Sequence, residues 1–157
     1  MKISIRQATL ADAGAISLIG REIQALHAAA LPWYFRSDDA ETFSPAEFST
    51  LLEQPNNLIL IAETDSGRTG YAYAEFLRHI ESTLTHYNRQ LYLRHIGITA
   101  AQRRKGIGTA LIAALGAAGK ERGVDMLAVD VWRFNEEARA FYRRPGFETY
   151  SETMWSR

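Results

Sequence analysis

The sequence predicts a mixed α/β (α+β) fold in which helices pack on one largely antiparallel sheet. Strand-like and helix-like segments follow one another over 157 residues in the order β-α-α-β-β-β-α-β-α-β. A hairpin signal at Asp65-Ser-Gly67 makes two central strands antiparallel. A strand, a helix and a further strand between residues 91 and 132 form a crossover unit, whose two strands are expected to be parallel.

The first half of the chain begins with a strand and a long helix. Residues 3 to 9 alternate like a strand, and Thr9-Leu-Ala-Asp12 has the form of a capping box that opens a helix. Residues 31 to 45 are rich in aromatic, proline and acidic residues, which predicts an ordered loop. Ser44-Pro45 then starts a short helix through Leu52, and the two strands of the hairpin follow.

The second half contains a strand at RQLYLRHIGIT and then a helix from Gly106 to Arg122, with Gly123 as its stop. VDMLAVDVW is predicted as a strand, and Asn135 caps a helix that Pro145 should end at Arg144. The last segment, Gly146 to Trp155, is expected to form one or two short strands.

Composition limits the function. Hydrophobic residues make up 46% and charged residues 23%, and 18 basic residues balance 18 acidic ones, so a single globular domain over residues 1–157 is expected, without general nucleic-acid or membrane binding. The absence of cysteine excludes disulfides, thiolate zinc sites and thiol nucleophiles. The four histidines lack metal-ligand spacing, so no metal is expected. Without a secretion-signal pattern or an apolar segment of membrane-spanning length, the expected location is the cytoplasm.

The stretch QRRKGIGTAL follows a predicted strand and opens a predicted helix. Its cations Arg103, Arg104 and Lys105 precede Gly106 and Gly108 at the sheet edge where open α/β sheets bind ligands. A helix start offers unpaired N–H groups, and glycines let phosphate oxygens approach the backbone. It is not a P-loop, because the lysine precedes the glycines. Taken alone, the stretch is either a basic surface turn or a phosphate site.

Two motifs together resemble a known family. Arg103-Arg-Lys-Gly106-Ile-Gly108 matches the R/Q-x-x-G-x-G/A signature of the GNAT superfamily of N-acetyltransferases, which bind acetyl-CoA. Residues 129 to 147 are similar to the family's N-x-x-A-x-x-F-Y-x-x-x-G-F segment. The matching positions of that segment are Asn135, Ala138, Phe141, Tyr142, Gly146 and Phe147.

The resemblance implies a GNAT-like sheet with helices on both faces and a parallel strand pair that splays apart at the acetyl-CoA site. Backbone amides of residues 104–109, assisted by Arg103, would hold the coenzyme A pyrophosphate, and the strand around Gly97 would pair with pantetheine. A glycine within a strand also fits the close approach of another backbone. The expected cofactor-binding residues are Ile96, Gly97, Ile98, Arg103, Arg104, Lys105, Gly106, Ile107, Gly108, Thr109, Asn135, Ala138 and Tyr142.

The family's catalytic tyrosine, the general acid for the thiolate, aligns with Tyr142. A base is also required, because an amine of pKa about 10 is neutral in roughly one molecule per thousand at pH 7. The candidates are Asp130, Glu75 and His95, each of which also has a purely structural interpretation. A backbone N–H of Ile96 or Ile98 is expected to stabilise the oxyanion. Arg94 and Pro145 depart from the family pattern.

The aromatic loop is the candidate acceptor site. Trp33, Tyr34 and Phe35 would form an apolar or cation-binding wall and Asp38 would attract an amine, or the rings simply pin the loop to the core. The leading hypothesis is direct acetyl transfer from acetyl-CoA to a primary amine of a small molecule or amino acid. The alternatives are a protein N-terminal or lysine acetyltransferase and a non-catalytic acyl-CoA-binding sensor. The family often forms homodimers, for which the sequence holds no interface signal.

Overall fold

The computed structural model describes residues 1–36 and 42–156, within which one mixed sheet is flanked by helices. Short 3-10 turns at Leu10–Asp12 and Ala100–Gln102 precede α1 and α3. The elements are β1 Ser4–Gln7, α1 Ala13–Ala30, α2 Pro45–Glu53, β2 Asn57–Thr64, β3 Gly67–His79, β4 Asn88–Ile98, α3 Ile107–Glu121, β5 Met126–Val129 and α4 Glu136–Arg143.

The sheet confirms the predicted fold class. Its strand order is β1-β2-β3-β4-β5, the first four strands are antiparallel, and β4 and β5 are parallel. Helix α3 connects that parallel pair, as a crossover requires. None of the helices in the described part of the chain is long and apolar enough to cross a membrane.

Local sequence explains where the helices begin. Ser44 and Glu47 form a capping box, in which the Glu47 N–H donates to Ser44 Oγ at 3.2 Å and the Ser44 N–H donates to the Glu47 carboxylate at 2.8 Å. The Ala138 N–H donates to Asn135 Oδ1 at 3.0 Å and caps α4. Gly106 starts α3 in the left-handed conformation, with φ +86°.

Two apolar layers cover the two faces of the sheet. On the first, called the α3 face, Leu91 and Leu93 pack with Ile107, Leu111 and Leu115 of α3. On the opposite face, called the α1 face, α1 and α2 cover β2 and β3. The buried residues of that layer include Ile16, Ile19, Phe48, Ile61 and Tyr71. Helices therefore cover both faces of the sheet, as the sequence predicted.

A buried carboxylate fastens the first strand to the sheet. Asp12 is fully buried and accepts two hydrogen bonds from Arg6, at 2.8 and 3.0 Å, while Arg68 Nε lies 2.6 Å from Oδ1, one of the same two oxygens. The Thr9 N–H also donates to it at 2.8 Å. The hydrogen bonds from Arg6 are the main reason that the pKa of Asp12 lies well below its ordinary value. The charge is thus paired and hydrogen-bonded, as a buried charge must be.

The end of the chain differs from the prediction. The strand expected over VDMLAVDVW is limited to Met126–Val129, and the strands expected between Gly146 and Trp155 are absent from the described residues. The Phe147 N–H donates to the Tyr142 carbonyl at 3.1 Å. This hydrogen bond belongs to the turn that follows α4 and not to a pair of strands. Beyond it, the ring of Trp155 contacts those of Trp33 and Trp132.

A β-bulge at Arg94 ends the pairing of β4 with β5. On the β3 side, Tyr73 pairs with His95 and Ala74 with Leu93, which leaves Arg94 as the extra residue. On the β5 side, pairing stops at Leu93–Val129, although β4 continues to Ile98. A bulge bends a strand and increases its twist. The parallel pair therefore separates beyond Leu93, and this separation is the predicted splay.

Gly97 lies in the splayed part of β4, where α1 crosses it. A Cβ atom there would meet Ile23 and would come within 2.8 Å of Ile19 Cγ2. We expect Gly97→Ala to lower the free energy of unfolding by about 1–3 kcal/mol, because α1 must move outward. Denaturant unfolding followed by circular dichroism measures this change.

The control is Gly116→Ala in α3, where a Cβ meets no atom within 4 Å. Alanine in a helix interior is favoured over glycine by about 0.5–1 kcal/mol, so this variant should be as stable as the parent or more stable. Equal stability of the two variants would contradict the packing explanation.

Candidate active site

The loop between β4 and α3 presents a row of free backbone donors. Arg104 has φ +59° and Gly106 has φ +86°, so left-handed residues interrupt the ordinary conformation twice within three positions. Such alternation turns successive N–H groups toward a common concavity that binds anions. Within the described structure, the N–H groups of residues 104–109 donate to no carbonyl, and the first bond of the helix runs from the Ala110 N–H to the Gly106 carbonyl at 3.0 Å. The loop and the helix start are therefore suited to phosphate.

The cationic side chains of this loop differ in whether they already contact other groups of the protein. Arg103 Nε donates to the Ile98 carbonyl at 3.2 Å, and its guanidinium lies 3.8 Å from Glu22 of α1. Glu22 also accepts a hydrogen bond from the Ala100 N–H at 2.8 Å, and Lys105 donates to Gln102 at 3.1 Å. Arg103 and Lys105 thus help to hold the loop. Arg104 is exposed, and its side chain makes no hydrogen bond or ion pair with the described residues.

An open cleft of about 490 Å³ lies next to the loop. Ala100, Arg103 and Arg104 line one side, and Glu137 from the first turn of α4 lines the other. The two arginines bring positive charge to the cleft, and Glu137 brings one negative charge. The cleft therefore joins the loop to the start of α4.

The two sequence motifs contact each other. A Cβ on Gly108 would lie 3.0 Å from Phe141 Cζ and 3.4 Å from Ile98 Cδ1, so the glycine makes room for the phenylalanine ring. Phe141 and Ala138 both pack against the apolar layer of the α3 face. Phe141 is therefore a core residue, which joins the start of α3 to α4.

Tyr142 lies beside Phe141 on the same helix. Its side chain is 6% exposed, and its ring centroid lies 5.1 Å from that of Phe141 and 5.3 Å from that of Phe147. Burial raises the pKa of the phenol well above its ordinary value. At neutral pH the hydroxyl therefore holds its proton and can act as a donor.

In the splayed part of β4, successive residues face opposite sides of the sheet. Ile96 and Ile98 pack on the α3 face, while Gly97 lies under α1 next to Tyr71. No β5 residue lies opposite this segment, so the backbone groups that point away from β3 have no strand partner among residues 1–36 and 42–156. The carbonyl of Ile98 accepts the bond from Arg103. The free edge of β4 leads directly into the N–H row of residues 104–109.

The ring of His95 lies on the α1 face, against two aromatic rings. Its centroid is 5.4 Å from that of Phe43 and 6.2 Å from that of Tyr73. Although His95 is open to solvent on one side, the surrounding protein desolvates the ring, and this desolvation, followed by the charges of His27 and Arg94, lowers its pKa. The imidazole is therefore neutral at physiological pH and able to accept a proton.

Glu75 and Asp130 have different surroundings. Glu75 does not lie free among aromatic rings, because its carboxylate accepts two hydrogen bonds from Arg94, at 3.0 and 2.8 Å. The Arg94 guanidinium also lies over the ring of Tyr92, 4.6 Å from its centroid. Burial, and next the nearby carboxylate of Asp130, raise the pKa of Tyr92 to about 12. Among the three candidate bases, Glu75 is thus paired with a cation, Asp130 is exposed and lies near Tyr92, and the imidazole of His95 has no ion pair with the described residues.

The predicted acceptor residues Trp33, Tyr34 and Phe35 belong to a larger aromatic cluster. Tyr34 and Phe35 contact Trp132 at centroid distances of 5.1 and 4.9 Å, and Trp33 contacts Trp155 at 5.4 Å. Asp38, the fourth predicted acceptor residue, lies outside the described residues.

Sequence reasoning missed Glu22, which holds the loop, and Trp132, Phe134 and Trp155, which extend the aromatic wall. The sequence offers one signal for the ring cluster, which is that Trp132 and Phe134 lie within the second motif. In the described part of the chain, no group of three or more His, Cys, Asp or Glu side chains is arranged to hold a metal ion.

Comparison with known families identifies the class. The model of the acetyltransferase (GNAT) family matches residues 23–147, which includes both motifs and β4, α3, β5 and α4. The chain therefore belongs to the acetyltransferase (GNAT) family and is an acyltransferase. No curated protein sequence matches it significantly.

Solved structures share the fold at low sequence identity. A point mutant of the BH1408 protein from Bacillus halodurans is 22% identical, with 98% of each chain covered and a TM-score of 0.94. AAC(6')-Iy, in complex with a bisubstrate analog of CoA, is 22% identical over 100% of this chain and 98% of its own, with a TM-score of 0.76. The aminoglycoside 6'-N-acetyltransferase AAC(6')-Ih from Acinetobacter baumannii is 19% identical over 99% and 97%, with a TM-score of 0.73.

The electrostatic setting of His95 is open to measurement. We expect its ring to titrate with a midpoint below 6.5, and Arg94→Gln to move that midpoint upward by removing a positive charge. Because the folded-state pKa is the lower one, the unfolded chain binds the proton more readily, and His95 reduces stability as the pH falls below about 6.5. Two-dimensional NMR of the ring protons against pH measures the midpoint.

Arg78→Gln, on β3 but outside the surroundings of His95, serves as the charge-matched control and should leave the midpoint where it is. A midpoint at or above 6.5 in the parent protein would show that His95 is not desolvated as described.

Proposed function

We propose that the protein is an acetyl-CoA-dependent N-acetyltransferase that transfers the acetyl group directly to a primary amine of a small molecule or amino acid. The observation that carries this proposal is the continuity between the free edge of β4 beyond Leu93 and the row of free N–H groups at residues 104–109. An extended ligand with an amide-containing arm and a phosphate end fits both parts at once.

The phosphate end would be held mainly by backbone N–H groups. Arg104 would be the principal side-chain cation, because Arg103 already donates to Ile98 and lies near Glu22. The pantetheine arm would add to the free edge of β4 in the manner of a strand. Acetyl-CoA would supply an activated acyl group at the end of this arm.

The chain's own residues would then move two protons. After the substrate ammonium group has lost one proton to solvent, the neutral amine would attack the thioester carbonyl. His95 would take the proton that the nitrogen gives up, directly or through a water molecule, as the C–N bond forms and the C–S bond breaks. The phenol of Tyr142 would donate to the departing thiolate, and a backbone N–H of Ile96 or Ile98 would stabilise the negative charge on the carbonyl oxygen. Without cysteine the chain has no thiol to hold the acetyl group, so direct transfer is the simplest route.

The similar structures support an amine acceptor. AAC(6')-Iy and AAC(6')-Ih are aminoglycoside N-acetyltransferases, and both share the fold of this chain over nearly its whole length. A protein acetyltransferase and a non-catalytic acyl-CoA sensor use the same donor site. After acetyl-CoA has bound, a protein acetyltransferase would acetylate peptides, whereas a sensor would release no thiol.

Calorimetric titration with acetyl-CoA tests the donor site. We expect micromolar binding, and a dissociation constant about tenfold higher for Arg104→Gln, because a charge-assisted contact to phosphate is lost. Lys120→Gln, at the other end of α3, is the matched control and should bind like the parent. Absence of binding at high micromolar acetyl-CoA would overturn the proposal, and binding without thiol release from any amine or peptide would favour the sensor.

Tyr142→Phe should lower kcat about 100-fold while the affinity for acetyl-CoA stays unchanged, since the ring packing with Phe147 is kept and one proton donor is removed. Thiol release under saturating acetyl-CoA measures kcat. Tyr87→Phe, at a half-exposed tyrosine, controls for the loss of a phenol elsewhere. Unchanged turnover of Tyr142→Phe would remove this residue from the mechanism.

A further inference from the structure

All three tryptophans of the protein lie in one aromatic cluster, which three distant segments assemble. The loop after α1 gives Trp33, Tyr34 and Phe35, the loop after β5 gives Trp132 and Phe134, and the C-terminal segment gives Trp155. We propose that this cluster is the acceptor-recognition surface, and that it selects a primary amine with one flat apolar ring, of the arylalkylamine class. This inference rests on the N-acetyltransferase function proposed above.

The rings are fixed by edge-to-face contacts. Trp33 and Trp155 meet at a centroid distance of 5.4 Å and an interplanar angle of 84°, and Phe35 and Trp132 at 4.9 Å and 76°. Trp155 also lies 5.9 Å from Trp132. These are favourable aromatic geometries, so the cluster offers a preorganised surface. The separations leave no gap for a cation inside the cluster, and a ligand must therefore stack on the outside.

The outward side of the cluster is open to solvent. Trp33, Tyr34 and Trp155 are 47%, 54% and 55% exposed, although a globular chain normally buries most of such rings. A shallow recess of about 500 Å³, largely open to solvent, lies along residues 32–36. Exposed aromatic area beside a recess is typical of a ligand-binding surface.

His27 connects the cluster to the candidate base. Its ring centroid lies 4.9 Å from that of Phe35 and 5.6 Å from that of Phe134, and its Nδ1 is 2.8 Å from the Ile23 carbonyl. Ile23, whose carbonyl lies next to His27, also reaches Gly97 of β4, two residues beyond His95. A ring stacked on the cluster can therefore carry its amine toward His95 on a short linker.

The charges at the recess favour a substrate that carries one amino group. Of the described residues that line it, Arg36 is the charged one, and the others are Pro32, Trp33, Tyr34 and Phe35. A polycation, such as a polyamine or an amino sugar with several ammonium groups, is repelled by Arg36 more strongly than a single ammonium group is, and it leaves the aromatic faces unused. A flat apolar ring stacks on those faces, and one ammonium group gains from the indole rings nearby.

Tryptophan fluorescence tests this proposal directly, because every tryptophan of the chain belongs to the cluster. Titration with 2-phenylethylamine should change the emission saturably, whereas n-hexylamine, which has the same charge and no ring, should do so only at about tenfold higher concentration. With saturating acetyl-CoA, kcat/KM should be at least about tenfold higher for 2-phenylethylamine than for n-hexylamine, spermidine, the amino sugar kanamycin or a short peptide.

Trp155→Ala should reduce the ratio of kcat/KM between 2-phenylethylamine and n-hexylamine toward one, and Trp155→Phe should keep most of it. Tyr87→Ala removes a half-exposed aromatic ring outside the cluster and should leave the ratio unchanged. Thermal unfolding checks that Trp155→Ala is folded. If Trp155→Ala is not folded, Trp33→Leu is used instead, because that variant retains an apolar side chain. The same ratio of kcat/KM is then measured for Trp33→Leu.

The outcomes separate this inference from the proposed function. Acetyl transfer to amines without a preference for the flat ring overturns the inference and leaves the function intact, as does a preference for kanamycin or spermidine. A preference for the peptide overturns the inference and favours the protein acetyltransferase. Unchanged tryptophan emission with an efficient ring-bearing substrate also overturns it. Absence of acetyl-CoA binding overturns the function itself.

Discussion

The β-bulge at Arg94 is the constraint on which the candidate site depends. One additional residue in β4 bends the strand away from β5 at Leu93, while β4 remains paired with β3 up to Ile98. The strand thus keeps one edge that is hydrogen-bonded to β3 and gains one edge without a strand partner. This free edge leads into the loop before α3.

The same bulge determines which side chains face which layer. Because strand residues alternate between faces, one extra residue reverses the alternation. Leu91 and Leu93 pack on the α3 face before the bulge, and Ile96 and Ile98 pack there after it. His95 is thereby turned to the α1 face, next to Phe43.

Small residues and one acid hold the other parts of the site together. Gly97 lets α1 lie against β4, and Gly108 lets Phe141 lie against the start of α3, so each of these glycines makes room for an apolar group of a different element. Glu22 joins α1 to the loop through the Ala100 N–H and Arg103. Helix α1 therefore supports both the splayed strand and the loop between β4 and α3, while its last turn leads into the aromatic cluster.

The sequence by itself determined the order of the elements, the parallel pair and the two motifs, because each depends on short-range patterns: alternation, capping residues and glycine spacing. It also contained the bulge, as the change in spacing from Leu91 and Leu93 to Ile96 and Ile98, but alternation alone predicts one uninterrupted strand. Only the tertiary structure decided that Glu75 is paired with Arg94, that the last segment forms no strand within the described residues, and that Trp33, Trp132 and Trp155 meet. These outcomes depend on contacts between residues far apart in the chain, and such contacts leave no local pattern in a single sequence.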